Sequence, residues 1–251
     1  MPRYFFELAY NGTNFSGWQR QENTSNTIQA HVEEKLSLLL GQKVSIIGCG
    51  RTDKGVHARS FYFHMDHGAL DIDRLKYKLN RLMSERVVLK RIFEVDPSAH
   101  ARFSAESRKY HFYFSTKPMV FDRAFKVQVE GPLHFRRIEE GLAVIKGVHD
   151  FRAFCKSPDR HRSTLCRVME NTFVERISEH EFYISIEANR FLKSMMRILV
   201  YRLLQLAQGQ LSLDRFKEMI EEGSTGETIK MLPPQGLFLM QVNYPDAVLK
   251  V

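Results

Sequence analysis

A single carboxylate flanked by cations is the strongest candidate for chemistry in this sequence. Asp53 lies between Arg51 and Lys54, directly after a glycine-containing turn. The β-branched run at 44–47 predicts a buried strand before this turn, and the apolar run at 60–63 predicts another after it. A turn at the end of a strand often presents a reactive side chain on a rigid scaffold. The neighbouring cations favour the ionised carboxylate, which can act as a nucleophile or a base.

A purely structural role for Asp53 is also open, because aspartate in a glycine-rich turn often hydrogen-bonds its own backbone. Two better-defined motifs do not fit this stretch. A dinucleotide-binding fingerprint that begins at Gly48 would need glycine at position 53, and the sequence has no Gly-Lys-Ser/Thr phosphate-binding loop. The local pattern alone therefore does not separate a catalytic turn from a structural one.

The composition indicates a globular protein of one large domain or two modest ones, 251 residues long and 43% hydrophobic. No apolar run approaches the ~20 residues of a membrane span, and the N-terminus lacks the apolar core of a signal peptide. Cys49, Cys155 and Cys166 have neither a pairing pattern nor metal-ligand spacing. These features predict a cytoplasmic protein, in a compartment that keeps thiols reduced.

The charge balance predicts an anionic partner, since the formal net charge is +8. Lysines and arginines concentrate in two stretches, 74–91 and 152–167, and Phe151 and Phe154 lie beside the second. Either cluster alone is readily explained as a solvated face. Two clusters together with the net charge favour RNA, whose phosphates such side chains would neutralise.

The first half of the chain predicts the order strand, helix, strand, strand, helix, strand, which is that of a split βαβ unit. Asn26 and Gln29 form a pattern typical of a capping box, and Gly41 is expected to end the first helix. Asp71 is expected to cap the second helix. A polar linker marks a domain boundary near residue 104. The strands are predicted at 4–10, 44–47, 60–63 and from 87 onward.

The second half predicts another α+β arrangement. A strand at 108–114 would place Tyr110, Phe112 and Phe114 on one face. Asn189 is expected to cap a long amphipathic helix. Further strands are predicted at 167–174, 181–187 and 236–242, and further helices at 138–145 and 212–222.

The fold expected from these patterns is α+β with two domains, residues 1–104 and 105–251. Each would be a ferredoxin-like half, and the two would form a continuous, mostly antiparallel sheet with a central active-site cleft. Asp53 would lie near that cleft.

Several stretches of the sequence together resemble the signatures of one enzyme family. Residues 51–58, Arg-Thr-Asp-Lys-Gly-Val-His-Ala, are similar to the catalytic signature of the pseudouridine synthases that modify the anticodon arm of tRNA. The resemblance covers nearly the whole chain, which makes it more specific than a single motif. The other matching stretches are 10–21, 100–105, 108–110, 149–151, 188–197 and 236–239.

The resemblance implies roles for individual residues. Asp53 would be the catalytic aspartate and Arg197 its ionic partner. Tyr110 would contact the target base, Arg51 would help to extrude the nucleotide, and Leu237 would contact the substrate. RNA contacts are expected at Lys54, His57, Arg102, Arg152 and Lys156, although orientation of the loop is the favoured role of His57.

The implied activity is conversion of uridine to pseudouridine at positions 38, 39 and 40 of the tRNA anticodon stem-loop. The reaction breaks the bond between ribose and N1, rotates the uracil and joins its C5 to the same carbon. It is redox-neutral, so neither a cofactor nor a metal is expected. The family also implies a homodimer, and no membrane partner is expected.

Two other classes of function compete with an isomerase. A basic ferredoxin-like module would bind structured RNA without chemistry, but the sequence lacks the aromatic signature of such modules. A metal-dependent phosphodiesterase would need clustered ligands, and His64 and His67 have no suitable third ligand near them. Without the resemblance, Tyr110 is as well explained as a core tyrosine, and Arg197 as part of a solvated helix face.

Some positions depart from the family pattern or carry no chemistry. Lys54 stands where a small residue is common, and Cys166 stands about where an arginine often falls. Tyr201 and Ala207 occupy positions on the long helix where glycine is expected, which predicts different helix packing. Trp18 is assigned to packing or loop positioning.

Overall fold

The computed structural model describes residues 1–83 and 85–249, which form two compact α+β units. The first unit is Met1–Ser107 joined by the chain from Phe238 onward, and the second is Arg108–Leu237. This division lies close to the predicted boundary at residue 104. The last strand, however, belongs mainly to the first unit, whereas the prediction assigned it to the second half. As separate domains, the halves 1–104 and 105–251 stay a prediction.

The first unit begins with the predicted order of strands and helices. These elements are β1 (Arg3–Tyr10), α1 (Ile28–Leu40), β2 (Ile47–Gly48), β3 (His57–Asp66), α2 (Ile72–Leu82) and β4 (Val87–Val95).

The second unit contributes the next strands and three helices, and the chain then returns to the first. The elements of the second unit are β5 (Ser107–Ser115), β6 (Val127–Gln128), α3 (Phe135–Ile145), β7 (Gly147–Asp150), β8 (Leu165–Val168), β9 (Phe173–Arg176), β10 (Glu181–Ala188), α4 (Met195–Ala207) and α5 (Leu213–Glu221). The chain ends with β11 (Leu237–Asn243) and the short α6 (Asp246–Leu249).

The sheet of the first unit has β3 near its centre. Strand β1 pairs antiparallel with both β3 and β4, and β2 pairs antiparallel with β3. Strand β11 pairs with β3 in parallel, with Phe238 opposite His57. This register brings the last strand of the chain against the start of β3, directly after the Asp53 loop.

The sheet of the second unit is built on a long antiparallel pair. Strands β5 and β10 pair from Arg108 opposite Ala188 to Ser115 opposite Glu181. Strands β8 and β9 both pair antiparallel with β10, and β7 pairs antiparallel with β8. The expectation of a mostly antiparallel α+β fold is confirmed. The continuous sheet through both halves and its central cleft stay a prediction.

The predicted strand at 44–47 is wrong, since only Ile47 and Gly48 pair with β3. The reason is that the backbone of Ile46 hydrogen-bonds to side chains and not to another strand. The N–H of Ile46 donates to the Glu33 carboxylate at 3.2 Å, and the carbonyl of Ile46 accepts from the Gln29 side chain at 3.2 Å. Side chains of α1 thus satisfy the backbone groups that a sheet ladder would otherwise use.

The caps of the helices follow the sequence in some places and not in others. Asp71 caps α2 and Gly41 ends α1 with φ of 68°, both as predicted. Ser212, the first residue of the helix predicted at 212–222, caps α5. The first helix is capped by Thr27, which accepts from the N–H of Ala30, and not by Asn26. The Asn26 side chain donates instead to the carbonyl of Asn14 at 2.6 Å.

Two predictions for the second unit are also wrong. Asn189 does not cap α4, which begins after Ser194. Its side-chain oxygen instead accepts from the N–H of Arg167 at 2.9 Å, and this bond prolongs the pairing of β10 with β8. The predicted strand at 167–174 is divided between β8 and β9, which pair with different parts of β10.

Helices α3 and α4 approach closely although Tyr201 and Ala207 replace the glycines expected on α4. The small residue lies on α3 instead. A Cβ atom on Gly141 would lie 2.6 Å from Leu203 and 2.7 Å from Leu206. Across the part of the chain that the structure describes, no helix combines the length and apolarity needed to cross a membrane.

Candidate active site

The loop that carries Asp53 is fixed to the N-terminal segment by backbone and side-chain bonds. The N–H of Trp18 donates to the carbonyl of Thr52 at 3.2 Å, and the hydroxyls of Tyr10 and Thr52 are 2.9 Å apart. The N–H of Val56 donates to the carbonyl of Asp53 at 3.2 Å and closes the turn. The Asp53 side chain itself is half-buried. A half-buried carboxylate on a fixed backbone has a defined direction and access to a ligand.

Two glycines allow the N-terminal segment to touch this loop. Gly17 has φ of +97°, and a Cβ atom there would lie 2.6 Å from the carbonyl oxygen of Thr52. A Cβ atom on Gly12 would lie 1.9 Å from the carbonyl oxygen of Val56. Larger residues at either position would push the Asp53 loop away. The glycines of the stretch 10–21 thus have a geometric reason in this chain.

Trp18 anchors the N-terminal segment from the protein interior. We call this segment, residues 10–18, the N-terminal wall of the Asp53 loop. Its side chain is 1% exposed, and its ring stacks on Phe61 with centroids 3.9 Å apart. A Cβ atom on Gly48 would lie 2.6 Å from the indole nitrogen, so the indole covers the glycine that precedes the loop. The prediction that Trp18 serves packing and loop positioning is confirmed.

Arg51 is exposed and is held by a chain of polar side chains. Its Nε donates to Oε1 of Gln19 at 3.2 Å, and Nε2 of Gln19 donates to Oε1 of Gln29 at 2.7 Å. Gln29 donates in turn to the buried carboxylate of Glu33 at 3.0 Å, which is also paired with Arg20 at 2.7 Å. Gln19, Gln29 and Glu33 form what we call the Gln19 network. The sequence analysis did not identify it.

His57 lies at the start of β3, directly after the Asp53 loop, and contacts the N-terminal segment. It is 1% exposed, its Nδ1 accepts from the N–H of Gly12 at 3.2 Å, and its ring stacks on Phe238 with centroids 4.5 Å apart. This burial fits orientation of the loop better than direct contact with RNA. Lys54 and Arg102, by contrast, are exposed, and Arg102 lies over the ring of Phe103.

Tyr110 is half-buried on β5 of the second unit, opposite Ile186 on β10. It lies on the same face of the strand as the buried Phe112. Its ring meets Phe191 edge-on, with centroids 4.9 Å apart and an interplanar angle of 75°. Phe191 belongs to the stretch 188–197 that resembles the family, and it fixes the plane of the tyrosine ring.

Arg197 lies near the start of α4 and is half-buried. Its Nε donates to the carbonyl of Leu232 at 2.7 Å, and the N–H of Leu232 donates back to the carbonyl of Arg197 at 3.2 Å. Leu237 is buried where β11 begins. The preceding Gly236 allows close approach there, since a Cβ atom on it would lie 2.5 Å from the carbonyl oxygen of Tyr113.

The second basic cluster has a different character from the one predicted. Phe151 and Phe154 are fully buried, so they belong to the core and offer no stacking surface. Arg152 is exposed and paired with Asp159. Lys156 is half-exposed, and its backbone N–H donates to the carbonyl of Lys193 at 3.1 Å.

His64 has a structural role in the first unit. It is buried, its Nδ1 accepts from the N–H of Ala101 at 3.1 Å, and burial lowers its pKa to about 4. Within residues 1–83 and 85–249, no three His, Cys, Asp or Glu side chains group so as to hold a metal ion.

The predicted site residues therefore form two groups. Asp53, Arg51 and His57 surround one loop of the first unit, whereas Tyr110 and Arg197 lie on β5 and α4 of the second.

Comparison with known proteins identifies a family that matches most of this chain. A family model described as tRNA pseudouridine synthase matches residues 8–104 and 143–245. These stretches include the Asp53 loop, its N-terminal wall and Arg197, while Tyr110 falls between them.

Curated relatives align along almost the whole chain. A protein named tRNA pseudouridine synthase A from Bacteroides fragilis is 34% identical, over 99% of this chain and 98% of its own length. The protein of the same name from Bacteroides thetaiotaomicron is 36% identical, over 99% of this chain and 93% of its own length. The protein of that name from Parabacteroides distasonis is also 36% identical, over 100% of this chain and 99% of its own length.

Proposed function

This chain belongs to the tRNA pseudouridine synthase family, and we propose that it converts uridine to pseudouridine at positions 38, 39 and 40 of the tRNA anticodon stem-loop. The enzyme class, an isomerase that acts on uridine in tRNA, follows from the family. The observation that carries the proposal is the Asp53 loop. It lies within the matched stretch, and the wall formed by Tyr10, Gly12 and Trp18 lies there too.

The chemical role proposed for Asp53 needs its ionised form. The carboxylate would attack C1′ of the ribose, attack C6 of the base, or remove the 2′ proton. Removal of water alone would favour the protonated acid, so a cation must oppose it. We propose that Arg197 supplies that cation, since a guanidinium also fixes the direction of a carboxylate.

The remaining parts of the reaction are assigned to aromatic and cationic side chains. Tyr110 would stack on the uracil, and a stacked base contributes ~1–3 kcal/mol, comparable with the cost of flipping a nucleotide. Arg51 would occupy the space left by the extruded nucleotide, and Leu237 would close the pocket around the detached base. The reaction is an isomerisation in which C5 loses a proton and N1 gains one, with no net oxidation or reduction, so we propose that it needs no cofactor.

The wider assembly is proposed on the same basis. Lys54, Arg102, Arg152 and Lys156 would contact RNA phosphates, with Arg152 exchanging its pairing with Asp159 for a phosphate. His57 would keep the loop in place without touching RNA. We propose a homodimer that acts in the cytoplasm.

The activity is tested with unmodified tRNA that carries tritium at uracil C5, in the presence of a chelator. Formation of pseudouridine releases that tritium because C5 becomes bonded to the ribose. We expect release from this tRNA and none from a matched tRNA with cytidine at 38, 39 and 40. Tight binding of both tRNAs without release would instead indicate an RNA-binding module that lacks catalysis.

A further inference from the structure

The segment between α5 and β11 is held against α4 at two places. The first is the pair of bonds between Arg197 and Leu232 described above. The second lies farther along α4, where Nη1 of Arg202 donates to Oε1 of Glu227 at 2.5 Å. The segment therefore runs antiparallel to α4, with Glu227 at Arg202 and Leu232 at Arg197. We call residues 223–236 the strap.

Arg202 is an unusual residue for the interior of a helix bundle. Its side chain is 1% exposed. Nη1 also donates to Gln205 at 2.8 Å, but Nε and Nη2 have no acceptor among the described residues. Burial of a guanidinium with unsatisfied donors is unfavourable, and an apolar side chain of similar size is often at least as stabilising. Stability therefore does not account for an arginine at this position.

Glu227 is bound well enough to act as a fixed anchor. The hydrogen bond from Arg202, followed by the attraction of its charge, lowers the pKa of the Glu227 carboxyl. The backbone of Glu227 is also held, because the hydroxyl of buried Thr225 donates to its carbonyl at 2.8 Å. The position of Glu227 thus fixes the strap five residues before Leu232.

We propose that Arg202 and Glu227 are positioning residues for Arg197. Their ion pair fixes the strap, and the carbonyl of Leu232 on the strap sets the direction of the Arg197 guanidinium. This inference rests on the proposed function, in which Arg197 pairs with Asp53. The bond from Nε to the strap fixes the plane of the Arg197 guanidinium and therefore the direction of Nη1 and Nη2. A strap released from Arg202 would let the guanidinium rotate away.

The kinetic test uses Arg202→Met and Glu227→Gln, with Glu140→Gln as the matched control, because Glu140 pairs with Arg136 on the surface of α3 at 3.3 Å. We expect each strap variant to lower kcat about tenfold while KM changes by less than about twofold, since a misdirected group costs transition-state stabilisation and leaves tRNA binding intact. The double variant should lose no more than either single variant, because both remove the same interaction.

Urea unfolding shows whether Arg202 positions Arg197 or only stabilises the fold. We expect Arg202→Met to unfold at the same or a higher urea concentration than the wild type, although its kcat falls. A kcat equal to that of the wild type, or a loss of kcat that runs parallel to a loss of stability, would overturn the proposal.

A second measurement does not depend on activity. The Nε–H signal of Arg197, assigned by its loss in Arg197→Lys, should exchange slowly with solvent in the wild type and faster in both strap variants. Equal exchange rates in all proteins would also overturn the proposal. If the wild type failed to isomerise uridine, the proposed function would fall, and this signal would still decide whether the strap fixes Arg197.

Discussion

The amide of Trp18 donates a hydrogen bond to the carbonyl of Thr52 at 3.2 Å. This bond joins the single tryptophan of the chain to the residue directly before Asp53. It is a backbone bond, so its formation depends on how closely the two segments approach and not on the side chains that they carry. The stretch 10–21 therefore serves to hold the Asp53 loop, and the glycines within it decide whether that contact can form.

Gly17→Ala should separate the N-terminal wall from the Asp53 loop. The added Cβ would meet the Thr52 carbonyl at 2.6 Å, so the loop must shift. We expect kcat to fall at least about tenfold, since displacement of a catalytic group by about 1 Å is costly. Gly41→Ala is the control, because Gly41 also has positive φ but nothing lies within 4 Å of its Cβ position. Kinetics of both variants with tRNA test this, and an unchanged kcat in Gly17→Ala would contradict it.

Gln19→Ala should loosen Arg51 without unfolding the first unit. Gln19 connects Arg51 to Gln29 and through it to Glu33, so its removal ends the network at Gln29. We expect a loss of roughly three- to tenfold in kcat, because Arg51 keeps its charge but loses its preferred orientation. Gln21→Ala removes an exposed side chain of the same stretch that bonds only the Ser16 carbonyl among the contacts described, and it should be neutral. Equal kcat values for both variants would count against the network.

Substitutions of Tyr110 should separate its ring from its hydroxyl. Tyr110→Phe keeps the ring and its edge-on contact with Phe191, so most of the stacking on the base should survive. Tyr110→Ala should lower kcat/KM by about five- to 150-fold, since base stacking contributes ~1–3 kcal/mol. Tyr113→Ala on the other face of β5 is the control. If Tyr113→Ala lost as much activity as Tyr110→Ala, the assignment of the base contact would be wrong.

His64 should make the protein sensitive to acid. Its pKa is lowered to about 4, chiefly by burial, whereas an unfolded histidine titrates near 6.5. The unfolded state thus binds more protons between these values, so the free energy of unfolding falls as the pH drops from about 6.5 toward 4. The loss at pH 5 should be about 2 kcal/mol from this residue.

Urea unfolding of the wild type and His64→Asn at pH 7 and pH 5 measures this effect. Asparagine keeps an acceptor for the N–H of Ala101 but does not titrate. His111, whose pKa burial also lowers to about 4, remains in both proteins, so the difference between them isolates His64. The same pH dependence in both proteins would show that His64 does not carry the effect.

The sequence predicted elements whose signals are local. Asp71 and Gly41 each act on backbone within three residues, and each caps or ends a helix as expected. The buried strand at 44–47 failed because the backbone of Ile46 is satisfied by Glu33 and Gln29, whose side chains reach it from another element. Hydrophobic periodicity in the sequence does not indicate that side chains will replace a neighbouring strand as hydrogen-bond partners.

The same distinction applies to the site. Asp53 is a candidate because cations and glycines adjoin it in the chain, but its catalytic role, like the roles of Arg197 and Tyr110, is implied by the resemblance. The Gln19 network and the strap were missed because their bonds join polar residues far apart in the sequence. Arg202 in particular carries no signal in the sequence of α4 that would indicate its full burial.

The central claim is that the Asp53 carboxylate performs the chemistry, and single-turnover conversion tests it most directly. Wild type and Asp53→Asn would each be mixed in excess with tRNA that carries one target uridine at position 39, and pseudouridine would be measured over time. We predict that Asp53→Asn binds this tRNA as tightly as the wild type but reacts at least about a thousandfold more slowly, because the amide is neither a nucleophile nor a base. Conversion by Asp53→Asn at a rate close to that of the wild type would contradict the account.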